Sequence, residues 1–135
     1  MTARGRGRIL VSGSIGGDVP GPFDAVYDAT KAYLNSLAYA LADEWRDSGV
    51  TVTCLMPGPV DTPIFERAGM GDTPIARSDA KDDPAEVARA GYDAMMRGET
   101  GVAPGLGSSL VRMLSGIVPD EVLAAIHRRG AEPGR

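Results

Sequence analysis

The sequence is poor in cysteine, histidine and tryptophan, with one of each among 135 residues. The single Cys54 cannot form an internal disulfide, and its place in an apolar run predicts a small buried hydrophobe. One cysteine and one histidine cannot build a zinc site, so no metal centre is expected. These shortages exclude a disulfide-stapled scaffold and a structural zinc module.

Long hydrophobic runs and an excess of positive charge are also missing. No apolar run approaches the ~18 residues that a membrane span needs, and the polar stretch 1–8 lacks the apolar segment of a signal peptide. The formal net charge is −4, and a cluster of three basic residues, Arg4, Arg6 and Arg8, is typical of a solvated terminus. We therefore expect a cytoplasmic protein without a membrane span or a nucleic-acid partner.

The length and composition of the chain are those of one globular domain. The chain is 43% hydrophobic and 24% charged, which is close to the average for such domains. Its 18 glycines and 10 prolines stay below the range of low-complexity sequences. A chain of this size holds one hydrophobic core, so a second domain is excluded.

The first half of the chain has the pattern strand, helix, strand. A continuous apolar run at 8–12 predicts a strand buried on both faces, and the glycine- and proline-rich stretch 13–24 predicts a loop. A segment free of both residues, from 25 to about 46, predicts a helix. The β-branched run 50–56 predicts a second strand. Together they form a βαβ unit with parallel strands.

The second half is predicted to contain a long loop, three helices and a short strand. Segment 62–82 has no sustained hydrophobic period, so it is predicted to be a long loop and is interpreted as a lid. Asp83 as N-cap, Pro84 at the first helical position and Gly98 past the end define a helix, and 101–104 is a candidate third strand. Four apolar residues then share one helical face and are expected to face the core: Leu110, Met113, Leu114 and Ile117. A final helix begins at Pro119 and ends near Gly130.

Candidate functional residues follow the predicted strands, because ligands of parallel α/β sheets bind beyond the carboxyl ends of the strands. The adjoining helix adds Tyr27 and Lys31, one turn apart on the same face. A cation about 4–6 Å from a phenol favours the phenolate, and a phenol poised in this way serves as a general acid or base. Ser14, just past the first strand, adds a hydroxyl that can hold a substrate oxygen. This set indicates redox chemistry of carbonyls and alcohols.

Three motifs in chain order carry a resemblance to a known family. They are Gly7-Arg8-Ile9-Leu10-Val11-Ser12-Gly13-Ser14, Tyr27-Asp28-Ala29-Thr30-Lys31 and Pro57-Gly58-Pro59-Val60-Asp61-Thr62-Pro63. With their order, separations and predicted contexts, the sequence resembles the short-chain dehydrogenases/reductases. The resemblance covers at least residues 7–63, and 102–105 is similar to a C-terminal stretch of the family.

The resemblance implies an oxidoreductase that uses NAD or NADP and transfers hydride between nicotinamide and a small carbonyl or alcohol substrate. Tyr27 would then donate or accept the proton, Lys31 would bind the nicotinamide ribose and tune Tyr27, and Ser14 would orient the carbonyl. Tyr27 and Lys31 would share the binding of the cofactor with four residues after the second strand. These four are Pro57, Gly58, Val60 and Thr62.

The resemblance is to the C-terminal half of a family subunit. The glycine-rich turn and the Asn-Asn-Ala-Gly stretch of the family are absent from residues 1–135, so one partial domain with a Rossmann-like, doubly wound parallel sheet of about three strands is expected. Segment 62–82 would be its substrate loop. NAD and NADP both stay open, because the residue that senses the ribose 2′ position belongs to the other half. Asp28 lies at a position that varies in the family and is expected to matter little.

Two other interpretations use different residues. Ser14, Asp61 and His127 stand in the chain order of an α/β-hydrolase triad, although His127 is expected to be solvated near the end of a helix. Alternatively, the chain is a non-catalytic α/β fragment or interaction module. In that case the helix 25–46 would mediate association, including a homo-oligomer, through an apolar stripe made of Tyr33, Leu37 and Leu41.

Overall fold

The computed structural model describes residues 1–134, which form a three-stranded parallel sheet with flanking helices. The strands are β1 (Gly7–Ser12), β2 (Val50–Leu55) and β3 (Gly101–Val102), in the spatial order β1-β2-β3. The helices are α1 (Ala25–Glu44), α2 (Ile64–Arg67), α3 (Pro74–Arg77), α4 (Pro84–Arg97), α5 (Leu106–Leu114) and α6 (Asp120–Ala131). Short 3₁₀ turns lie at Thr2–Arg4 and Ile15–Asp18. The expected partial α/β sheet is therefore confirmed.

The core is built on β2, the central strand. Val52, Cys54 and Met56 are buried and pack against Ala38 of α1, which confirms Cys54 as a buried hydrophobe. Strand β1 differs from its prediction, since its residues alternate between half-buried and exposed. Its one neighbour within residues 1–134 is β2, so β1 is an edge strand and the expectation of two buried faces was wrong.

Helix α1 packs on the sheet through polar as well as small residues. It ends at Glu44, close to the predicted limit, and its fully buried positions are Asp28, Asn35 and Ala38. Tyr33 points to solvent and is 64% exposed. Leu41 packs against the core. The predicted interaction stripe is therefore divided between the surface and the interior.

The caps of α4 follow the sequence signals. The Asp83 side chain accepts hydrogen bonds from Ala85 N and Glu86 N at 2.7 and 3.1 Å, and Pro84 occupies the first turn. Gly98 ends the helix with φ at 74°, a left-handed conformation that favours glycine.

Segment 62–82 contains the one-turn helices α2 and α3, where a loop without regular structure was expected. The Thr73 hydroxyl caps α3 by accepting a hydrogen bond from Ala76 N at 3.4 Å, and Thr73 itself is buried. Four-residue helices are too short to show a hydrophobic period, which explains why the pattern of the sequence did not reveal them.

Three of the four residues predicted to form a core-facing stripe face solvent and the fourth, Leu114, is half-buried, so the prediction was wrong for most of the stripe. Leu110, Met113 and Ile117 are 50%, 63% and 76% exposed. The inward side of the helix is polar instead: Ser108 is buried, and the Arg112 guanidinium contacts the Tyr39 hydroxyl. Helix α6 (Asp120–Ala131) lies close to the predicted limits. Across residues 1–134, none of the helices has both the length and the apolar character needed to cross a bilayer.

Candidate functional site

The carboxyl ends of β1 and β2 lie side by side, because Ser12 pairs in register with Leu55. This pairing brings the two segments after the strands into contact. Ile15 N donates a hydrogen bond to Pro57 O at 3.1 Å, and the Ser14 hydroxyl donates to the same oxygen at 3.4 Å. The candidate residues near Ser14 and those near Pro57 therefore share one edge of the sheet.

Ser14 is fixed by its backbone and retains a weakly engaged hydroxyl. Asn35 of α1 receives a hydrogen bond from Ser14 N at 3.4 Å and donates one to Ser14 O at 2.9 Å. The Ser14 hydroxyl accepts from Gly16 N at 3.0 Å, while its donor bond to Pro57 O is long for an O–H···O contact. Asn35 was not identified from the sequence, although its position four residues after Lys31 on one helix face is a usable signal.

Tyr27 and Lys31 lie on the first two turns of α1. The Lys31 ammonium donates a hydrogen bond to Ser12 O at 2.9 Å and lies 5.6 Å from the centroid of the Tyr27 ring. Lys31 thereby joins α1 to the end of β1 and places its charge between the phenol and the segment that carries Ser14. Tyr27 is 43% exposed, so the ring lies at an open surface.

The loop after β2 is held by the end of segment 62–82. Asp82 N donates to Pro59 O at 2.8 Å and Asp82 O accepts from Asp61 N at 3.0 Å, which makes a short parallel bridge to Val60. Thr62 N donates to Val60 O at 2.9 Å. Among the four candidate cofactor residues of this loop, Pro57 is the one with a recorded hydrogen bond to the segment of Ser14, while Val60 and Thr62 are held within the loop and by Asp82.

A polar cluster with a cavity of about 480 Å³ lies beside the candidate residues. Arg112 of α5 stacks over the Tyr39 ring at 5.2 Å and lies 3.7 Å from Asp18. Burial raises the pKa of the Tyr39 hydroxyl, and the charge of Arg112 opposes that rise. A second cavity of about 500 Å³ is lined by Asp28 and Asp120 among others. Neither cavity is lined by Tyr27, Lys31 or Ser14.

Asp28 and His127 correct two expectations. The His127 side chain is 19% exposed and lies between two carboxylates, with Nε2 3.5 Å from Asp24 Oδ2 and Nδ1 3.9 Å from Asp28 Oδ2. Burial raises the pKa of Asp28 to about 6, while His127 lowers it and Asp24 raises it. His127 is therefore not solvated, and Asp28 is a buried carboxyl group. The sequence signal was the acidic pair four residues apart at the start of α1.

The three residues of the hydrolase interpretation are engaged with different partners. Asp61 forms an ion pair with Lys81 at 3.2 Å, His127 contacts the two aspartates of α1, and Ser14 contacts backbone groups. Within residues 1–134, no hydrogen bond or ion pair joins any two of these side chains. A Ser-His-Asp triad requires hydrogen bonds in sequence between its members, so the geometry does not favour that chemistry.

Comparison with known proteins gives a consistent set of relatives. A family model described as short chain dehydrogenase matches residues 1–72. The chain is 39% identical over 88 residues to oxidoreductase UcpA of Escherichia coli (strain K12), and the alignment covers 64% of this chain and 31% of that protein. The chain thus spans about a third of the length of this curated relative.

Solved structures with the same fold are about twice as long as the chain. A short-chain dehydrogenase from Sphingobium yanoikuyae in complex with NADPH superposes with a TM-score of 0.68 at 25% identity, over 87% of this chain and 48% of that one. A short chain dehydrogenase from Burkholderia cenocepacia J2315 in complex with NADP gives 0.70 at 22% identity, over 93% and 49%. The second similarity concerns the fold alone.

Proposed function

The chain belongs to the short-chain dehydrogenase family, and from that premise we propose that it takes part in NAD- or NADP-dependent hydride transfer between nicotinamide and a carbonyl or alcohol substrate. The observation that carries the proposal is the position of Lys31. Its ammonium is bonded to Ser12 O at 2.9 Å and lies 5.6 Å from the Tyr27 ring. This geometry supports an acid–base pair at the edge of the sheet where ligands of such folds bind.

In the proposed reaction, Tyr27 moves the proton. Its phenol donates a proton to the carbonyl oxygen during reduction and accepts one from the alcohol during oxidation. The Lys31 ammonium, 5.6 Å from the centre of the Tyr27 ring, supplies a positive charge beside this phenol. The exposure of Tyr27 leaves the hydroxyl accessible to a substrate.

Ser14 orients the substrate oxygen in this proposal. Its hydroxyl proton makes a bond of 3.4 Å to Pro57 O, which is weak enough to be exchanged for a bond to a carbonyl oxygen. Its backbone is held on both sides by Asn35, so the hydroxyl turns without moving the chain. A carbonyl held by Ser14 and protonated by Tyr27 is oriented for reaction, and orientation accounts for much of enzymatic rate.

The proposed cofactor site uses groups whose hydrogen-bonding capacity is still open. An ammonium has three donors, and within residues 1–134 the acceptor recorded for Lys31 is Ser12 O, which leaves two donors for ribose hydroxyls. Four residues after β2 would complete the cofactor site in this proposal: Pro57, Gly58, Val60 and Thr62. A bound nicotinamide supplies the hydride. The NADPH in the Sphingobium relative supports a nicotinamide cofactor and leaves the choice between NAD and NADP open.

Titration of the purified chain with NADH and NADPH tests the proposal, with cofactor fluorescence and thermal shift as readouts. We expect binding at micromolar concentration and turnover of carbonyl substrates. Tyr27→Phe should lower kcat by about 10²-fold or more, as for the loss of a general acid, with little change in cofactor Kd. Tyr33→Phe, on the same helix and 64% exposed, is the matched control.

Two outcomes would overturn the proposal for this chain. The first is an absence of binding up to millimolar cofactor, and the second is equal turnover by the wild type and Tyr27→Phe. Specific labelling of Ser14 by a serine-directed phosphonate would favour the hydrolase interpretation instead. Binding of a partner without turnover would favour the interaction module.

A homo-oligomer is a second proposal, favoured by the solvent-facing side of α1. Val26 and Tyr33 are 82% and 64% exposed and lie seven residues apart, two turns along one face. Exposed apolar residues on one helix face are typical of association surfaces. Sedimentation velocity of the wild type and of Val26→Ser/Tyr33→Ser tests it: we expect a dimer or larger species that dissociates in the double variant, and a monomeric wild type would contradict it.

A further inference from the structure

The first turn of α1 lacks the support that helix N-termini usually have. Asp24 occupies the N-cap position, but its side chain makes no capping hydrogen bond, although aspartate is among the best capping residues. The preceding Phe23 has φ at 75°, a left-handed conformation that is uncommon for a residue other than glycine. Something other than local capping therefore holds this turn.

Helix α6 supplies the missing contacts. His127 lies 3.5 Å from the Asp24 carboxylate and 3.9 Å from that of Asp28. The Arg128 guanidinium stacks over the Phe23 ring, with its central carbon 5.2 Å from the ring centroid. Two adjacent residues of α6 thus contact three positions within residues 23–28.

The histidine also lies between two acidic side chains at the start of α1. Asp24 and Asp28 are four residues apart, and like charges at this spacing destabilise a helix. His127 lies between them, and its Nε2 and Asp28 Oδ2 are buried without a hydrogen-bond partner within residues 1–134. The contact between His127 and the two carboxylates is therefore one of proximity in a buried site rather than of hydrogen bonds.

Tyr27 depends on this turn. It lies between Asp24 and Asp28 in the chain, so its Cα moves with the backbone of this turn, and its ring is 43% exposed. Misplacement of a reacting group by about 1 Å costs about 10²-fold in rate. The position of the Tyr27 hydroxyl is therefore set chiefly by the first turn of α1.

We propose that His127 and Arg128 of α6 are positioning residues that hold the first turn of α1 and, through it, the Tyr27 hydroxyl. The catalytic consequence rests on the proposed function, whereas the positioning itself does not. Both residues lie about 100 positions after Tyr27 in the sequence.

Fluorine NMR of the full chain labelled with 3-fluorotyrosine tests the proposal without requiring activity. The chain has four tyrosines, so each resonance is assigned by a single Tyr→Phe substitution. In His127→Gln and in Arg128→Gln we expect the Tyr27 resonance to shift and broaden, while that of Tyr92 on α4 stays in place. Arg128→Lys, which keeps a cation over the ring, should restore most of the wild-type signal.

Arg129→Gln is the matched control, since Arg129 is the next residue of α6 and is exposed. An unchanged Tyr27 resonance in both variants would overturn the proposal, as would equal shifts of all four tyrosines. Arg128 is itself exposed, so its substitution decides the question even where replacement of His127 unfolds the chain. If the wild type turns over substrate, kcat of His127→Gln and of Arg128→Gln should fall about tenfold or more at constant cofactor Kd. A wild type without turnover would refute the proposed function, and the NMR result would still decide whether the two residues position Tyr27.

Discussion

Asp28 is a buried carboxyl group beside a histidine and four residues after another aspartate. Its raised pKa of about 6, against 3.8 in a model peptide, means that the folded chain binds the Asp28 proton more tightly than the unfolded chain does. The contribution of this group to stability is complete below about pH 3.8 and is lost as the pH rises through about 6. At neutral pH the ionised side chain therefore costs stability.

Asp28→Asn should remove that loss. Between pH 4 and pH 7 the wild type is expected to lose up to about 3 kcal/mol from this group, at about 1.36 kcal/mol per pKa unit, and the variant should not. Urea unfolding of both proteins at the two pH values measures the difference. Asp47→Asn is the control because the Asp47 side chain is 93% exposed; parallel pH profiles for Asp28→Asn and the wild type would contradict the prediction.

Asn35 is a second buried polar residue, and its side chain is hydrogen-bonded to the Ser14 backbone. Asn35→Ala would remove both hydrogen bonds to the Ser14 backbone and leave buried polar groups without partners, which costs about 2 kcal/mol. We expect that loss in the free energy of unfolding, together with a higher KM for a carbonyl substrate. Ser36→Ala, at the exposed neighbouring position, should change neither quantity. A variant as stable as the wild type would show that water replaces the amide.

Between elements, the close approach of the 3₁₀ turn to α1 depends on Gly17. A Cβ at that position would lie 2.6 Å from the backbone of Lys31 and Ala32, and backbone atoms do not yield as a flexible side chain does. Gly17→Ala should therefore push the turn and Ser14 away from α1, with a cost of about 1–3 kcal/mol and a weaker response to cofactor. Gly107→Ala, where a Cβ meets no atom within 4 Å, is the control, and equal effects would refute the explanation.

The orientation of α5 is testable with two methionines. Met113 is 63% exposed and Met56 is fully buried. Met56→Ala should cost about 2–5 kcal/mol, whereas Met113→Ala should stay within about 0.5 kcal/mol. Trp45, the one tryptophan, packs against the core and reports unfolding of both variants in urea. A cost for Met113→Ala near that of Met56→Ala would restore the core-facing prediction.

The sequence predicted the elements with local signals and failed where long-range packing decides. Asp83, Pro84 and Gly98 act on their own backbone, so α4 was predictable residue by residue. The inward turn of α5 depends instead on Arg112 reaching Tyr39, a partner 73 residues away, and no local pattern contains that information. The candidate site followed the same rule: Tyr27 with Lys31 was visible as a spacing, while the contacts of Asn35 with Ser14 and of His127 with Asp28 required the fold.

In the molecule as a whole, the parallel order of the three strands gathers the proposed reactive groups at one edge. Tyr27, Lys31 and Ser14 come from the βαβ unit, and the loop after β2 joins them through register with β1. Two side chains from the later helices then reach α1: Arg112 of α5 contacts Tyr39, and His127 of α6 lies beside Asp28. The stability of the whole domain should therefore respond to a ligand bound at this one edge.

A ligand that binds only the folded state adds free energy to unfolding. At a cofactor concentration 100 times Kd the gain is about 2.7 kcal/mol, which for a domain of this size raises Tm by roughly 9 °C. The larger shift of the two, with NADH or with NADPH, identifies the preferred cofactor. Lys31→Met should remove most of the shift, because it deletes the cation that holds Ser12 O and the proposed ribose. The control is Arg46→Met, which deletes an exposed cation just beyond the far end of α1 and should keep the full Tm shift. A full Tm shift in Lys31→Met would show that the cofactor binds elsewhere.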